Sequence, residues 1–100
     1  MSVQEFRFQA RNIFLNTDNR MGIVVTKSSG SLSITSPVFT IYDASDDSIV
    51  ASEDTATESS GTIYATIPAG ATVGSYYVIF QFTDGDYSPK ARLDYDVVQG

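Results

Sequence analysis

One hundred residues at 42% hydrophobic, with no cysteine, amount to one domain spanning residues 1–100 that must hold together by packing rather than by disulfides. Lacking His, Cys and Trp, the chain cannot build a Ser-His-Asp or Cys-His nucleophile or a His/Cys zinc site. The net charge of −6 is lopsided: Arg7, Arg11, Arg20 and Lys27 outweigh Glu5 and Asp18 in residues 1–27, whereas residues 28–89 hold eight acids and no Lys or Arg. Such a body repels phosphate backbones, so nucleic acid is not an expected partner.

The N-terminus reads two ways. Ser2-Val3-Gln4-Glu5 fits a helix capping box, with Val3, Phe6, Ala10, Ile13 and Phe14 near helical spacing. Phe6, Phe8 and Ala10 also alternate with Arg7, Gln9 and Arg11, and a helix would leave Phe8 off its apolar stripe, which favours a strand. Arg20 to Lys27 places Met21, Ile23 and Val25 on one side, and Ser31 to Thr35 adds Leu32 and Ile34 as a further candidate strand. Val38 to Asp43 sets Phe39 and Ile41 on one face; after the Asp43 to Ser48 turn comes a short apolar stretch, Ile49 to Ser52. Ser28 to Ser36 and Ser52 to Thr62 read as loops or edge segments of the same domain.

Gly61 to Ile67 alternates Ile63, Ala65 and Ile67 against Thr62, Tyr64 and Thr66 until Pro68-Ala69-Gly70 stops it. The clearest strand is Gly74 to Thr83, with Tyr76, Val78, Phe80 and Phe82 facing inward and Tyr77, Ile79, Gln81 and Thr83 outward. Through the turn residues Asp84 to Pro89 it enters Lys90 to Val98, where Leu93, Tyr95 and Val97 alternate with Arg92, Asp94 and Asp96, predicting an antiparallel hairpin. The total is about seven strands, the pattern of an all-β sandwich. The longest purely apolar run is the five residues Tyr76 to Phe80, so neither a membrane span nor a secretory leader is expected, and no membrane partner.

Thr72-Val73-Gly74-Ser75-Tyr76-Tyr77-Val78 resembles the corner of immunoglobulin-like domains, where a small residue precedes a Tyr by two positions and an inward residue follows two later. The resemblance implies an immunoglobulin-like antiparallel β-sandwich in which the Tyr76 ring enters the core and its hydroxyl returns to the backbone. Val78 stands where antibody domains have Cys, and the buried Trp is missing, so the likeness is to the wider class. The succession of Val38 to Tyr42, an acidic turn, Gly61-Thr62-Ile63, Gly74-Ser75-Tyr76 and a closing hairpin is similar to small immunoglobulin-like virion proteins of tailed bacteriophages. That likeness implies a virion structural protein of the head, the head–tail junction or the baseplate.

No residue set suggests an enzyme or a cofactor. Asp43, Asp46, Asp47, Glu53, Asp54 and Glu58 could bind calcium, but their spacing is no EF-hand and a solvated acidic edge accounts for them. Asp84 and Asp86 flank a Gly as turn residues do, and every acid is expected at a turn or outward position, where water removes the tuning that acid catalysis needs. Tyr76 and Tyr95 are assigned to the core. Candidate interface residues are Tyr42, Tyr64, Tyr77 and Tyr87, with Arg7, Arg11 and Arg20, which in head-to-tail assembly would meet acidic turns of the next copy. The function expected is protein binding, to copies of the chain or to other virion proteins, in a virion. The alternative is a bacterial surface adhesin or carbohydrate-binding module, located at the cell surface or in the cytoplasm.

Overall fold

A computed structural model describes residues 6–14, 19–28, 30–67 and 72–97, with side chains described for 6–9, 21–28, 30–66 and 72–97. The strands are β1 (Phe6–Phe14), β2 (Asn19–Lys27), β3 (Thr35–Asp43), β4 (Ile49–Thr55), β5 (Thr57–Ser59), β6 (Thr62–Ile67), β7 (Gly74–Thr83) and β8 (Lys90–Val97). They form two four-stranded antiparallel sheets, ordered β1-β2-β6-β5 and β4-β3-β7-β8. Lettered in chain order these are A-B-E-D and C′-C-F-G, the arrangement of an immunoglobulin-like sandwich.

Period-two alternation decides which side of each sheet is dry. Met21, Ile23 and Val25 of β2 and Ile63 and Ala65 of β6 face Phe39 and Ile41 of β3, Val78, Phe80 and Phe82 of β7, and Ala91 and Leu93 of β8 in one core. Ile63, Val78 and Phe80 have no exposed surface at all, and each fully buried side chain of this kind contributes about 1.5–3 kcal/mol.

Turn chemistry fixes the registers. Ser59 pairs with Thr62 across Ser60 and Gly61, which have φ of 50° and 85°, the two positive values a type I′ hairpin requires. At the β7–β8 turn Asp84 and Tyr87 exchange both backbone hydrogen bonds (2.9 and 3.0 Å), with Gly85 at φ 61° in the position that favours glycine. Ala56, 4% exposed, is the single residue between β4 and β5, so the chain changes sheets there; its N–H donates to the Pro37 carbonyl at 2.9 Å.

Three sequence expectations need correcting or closing. Eight strands are found among the described residues, against about seven expected; Thr57–Ser59 pairs with β6 inside the stretch assigned to loop or edge. Ser31 to Ile34 is not a strand: Leu32 and Ile34 pack against the core from an irregular segment, and β3 starts at Thr35. Residues 6–14 form a strand rather than a helix, with Phe6 packed against the core; the capping-box residues 2–5 lie outside the described residues.

Candidate protein-interaction surfaces

Tyr76 sits at the corner before the long strand. It is 8% exposed, its O–H donates to the Thr72 carbonyl at 2.6 Å, and its ring stacks on Tyr95 at 5.6 Å between centroids. Gly74 lies under that ring, where an added Cβ would come within 3.6 Å of the hydroxyl oxygen. Tyr95, its partner in register, is half-buried rather than fully in the core, and burial pushes its phenol up to about 12.

The next residue, Tyr77, points to the outer side of the same sheet and is a correction to the expected accessible aromatics. It is only 9% exposed. Tyr42 on β3 stacks on it at 4.9 Å, the Arg92 guanidinium on β8 lies 3.9 Å from its ring centroid, and its O–H donates to Asp47 Oδ1 at 2.8 Å. That bond to a carboxylate holds the phenol above its ordinary range. Arg92 in turn bonds Asp94 at 2.8 Å, which raises the guanidinium further. The row is held together by its own stack, cation–π contact, hydrogen bond and ion pair, with Tyr42 half-buried beside it.

The other two tyrosines are apart from it. Tyr64 is half-buried on the outer side of the other sheet, over Gly22, where a Cβ would sit 2.8 Å from its ring and 2.7 Å from the Ile63 carbonyl oxygen. The glycine is what lets the ring lie flat on the sheet. Tyr87, 46% exposed in the β7–β8 turn, has Phe6 against it at 5.8 Å. The four candidate tyrosines therefore do not form one patch.

Arg7 is exposed on β1; Arg11 pairs in backbone register with Gly22, and Arg20 with Thr66. The acidic turn is built from its own carboxylates. Asp43 Oδ1 accepts from the Ser45 N–H and hydroxyl (2.9 and 2.7 Å), and Asp46 Oδ1 from the Ser48 N–H and hydroxyl (3.1 and 2.7 Å). The Ser48 hydroxyl first, then its N–H, lowers the Asp46 carboxyl below the usual range. Glu58 Oε2 accepts from the Gly61 N–H at 2.9 Å, and Asp54 Oδ1 from the Thr55 N–H at 2.8 Å. Among the described residues, no three of His, Cys, Asp or Glu gather as a metal-ligand set.

Asp84 corrects the expectation that every acid is solvated. Its side chain is 6% exposed and Oδ2 lies 2.9 Å from Lys27 Nζ, itself 13% exposed and also donating to the Ser31 carbonyl at 3.2 Å. The pair is held by charge and distance without the alignment of a hydrogen bond at Oδ2. A signal was present in the sequence: Lys27 continues the inward series Met21, Ile23, Val25, and Asp84 continues Tyr76, Val78, Phe80, Phe82. Two inward series that each end in an opposite charge, one per sheet, meet as an ion pair across the sandwich.

The free borders differ. Strand β8 exposes Lys90, Arg92, Asp94 and Asp96, β5 has three residues, and β4 breaks register twice against β3, all devices that discourage strand addition. Strand β1 pairs β2 through nine unbroken positions and exposes Phe8 at 37%. On the opposite border, Ile49 and Val50 of β4 are 62% and 50% exposed. No family model, no curated protein and no solved structure matches the chain.

Proposed function

We propose that this chain is a non-enzymatic structural protein that works through protein–protein contacts, as a component of a tailed-phage virion. One observation carries the binding half: among the residues whose side chains are described, the three large apolar ones exposed within strands, Phe8, Ile49 and Val50, all lie on free sheet borders, where a solitary domain would place charge. The virion half is supported by the likeness of segment order to small phage immunoglobulin-like proteins. Asp43 and Asp46 are committed to their turn, Asp47 to the tyrosine row and Asp84 to Lys27, which supports binding over hydrolysis.

The adhesin or carbohydrate-module alternative needs open aromatic faces for sugar rings. Tyr77 is flanked by Tyr42 and Arg92, and Tyr87 is the one exposed tyrosine among those described. The test is mass spectrometry of density-banded particles made by the genome that encodes the chain. Its peptides at a stoichiometric level in the particle band support the reading; their absence there, or a melting temperature raised by calcium or glycans, overturns it.

A further inference from the structure

We propose that copies of this chain associate head to tail, the free edge of β1 in one copy docking on the β4–β5 border of the next. This deepens the protein-binding reading and rests on it. Strand β1 carries Arg7 and Arg11 and no acid, whereas residues 49–59 carry Glu53, Asp54 and Glu58 and no base. The strand order sets these charges on opposite borders: β1 closes one side of its sheet, β5 closes the other, and β4 borders the second sheet one residue away from β5. Within one molecule the two cannot meet; a neighbouring copy brings them together.

Apolar surface follows the same division, with Phe8 on the basic border and Ile49 and Val50 on the acidic one. Chain direction also permits it. Every neighbour in β1-β2-β6-β5 is antiparallel, so a copy displaced sideways runs its β1 opposite to the β5 of the first; the three-residue length of β5 and the register breaks of β4 discourage backbone pairing there, so side chains rather than a continued sheet make the contact. Because two different surfaces meet, the contact is heterologous and repeats into a ring or an open row. Asp54 and Glu58 each accept one local backbone N–H, from Thr55 and Gly61, and with Glu53 remain exposed on this border, apart from the turn acids Asp43, Asp46 and Asp47.

Sedimentation velocity of the full chain over a wide concentration range tests it. The wild type should associate with rising concentration, and salt should weaken the association. R7E/R11E and D54K/E58K should each be monomeric, because each gives its two borders the same sign, while an equimolar mixture should reassociate through one restored wild-type contact. Circular dichroism confirms that each variant is folded; should one fail, R7D/R11D against E53K/D54K repeats the mixture. A wild type that stays monomeric throughout, variants that associate like it, or a mixture that does not recombine overturns the proposal. A monomer still found in particles would defeat this contact and leave the virion reading standing.

Discussion

The two faces of the β4-β3-β7-β8 sheet reach low exposure by different physics. On the inner face Ile41, Val78 and Phe80 are 0–1% exposed because apolar area is removed from water, a non-directional effect proportional to area. On the outer face Tyr77 falls to 9% because a stacked ring, a guanidinium and an aligned carboxylate surround it. Adjacent residues show the contrast: Tyr76 is buried on the inner side against Tyr95 and tied to backbone, whereas Tyr77 is covered by neighbours on the surface. Only the inner face leaves a periodic trace in the sequence, since directional contacts depend on which residues register brings abreast.

The largest effect belongs to the inner face. Phe80→Ala should cost about 3–5 kcal/mol in urea unfolding, as a core deletion that leaves a cavity. Ile79→Ala, one residue earlier and facing outward, should cost far less; equal losses would erase the distinction between faces. Next comes the ion pair across the sandwich. Lys27→Met should cost about 3 kcal/mol, because it leaves the Asp84 carboxylate buried without its counter-charge. Adding Asp84→Asn to that variant should recover much of the loss, and a double mutant no more stable than the single would mean that the two charges are not coupled.

Between the two tyrosines the order is also fixed. Tyr76→Phe removes the hydroxyl bonded to Thr72 and should cost about 1 kcal/mol, leaving a half-buried carbonyl without its donor. Tyr77→Phe should cost less, because the stack with Tyr42 and the Arg92 contact survive and Asp47 is left facing water. A larger loss at Tyr77 would move the outer row from surface trim to structural core.

Most of the fold was legible because burial of one side writes itself as alternation: the inward series of β2, β6, β7 and β8 were all read from residue spacing alone. Strand β5 was not, since three residues are too few to show a period and its place is set by the I′ turn at Ser60-Gly61. Leu32 and Ile34 misled in the opposite sense, because they are apolar and alternate yet reach the core from a segment that pairs with no strand. Closure of Tyr77 by Arg92 required knowing that β8 lies beside β7 with Arg92 abreast of Ile79, a fact of register. For the interaction surfaces, the charge asymmetry was plain in the sequence, but its assignment to opposite borders needed the strand order.

Alkaline titration separates the two faces in one experiment. Tyr95, on the inner side against Tyr76, is raised to about 12 chiefly by burial, whereas an unfolded phenol ionises near about 10. Between those values the unfolded chain loses the proton while the folded chain keeps it, so unfolding gains as pH rises. The stabilisation from Tyr95 is complete below about pH 10 and disappears as pH climbs through about 12. Tyr77 is shifted the same way by its bond to Asp47 and adds to the same slope. The urea midpoint should therefore fall across this window, with Tyr95→Phe flattening the fall most and Tyr77→Phe less. If Tyr95→Phe left the slope intact while Tyr77→Phe removed it, hydrogen bonding on the outer face rather than burial on the inner one would govern stability in alkali.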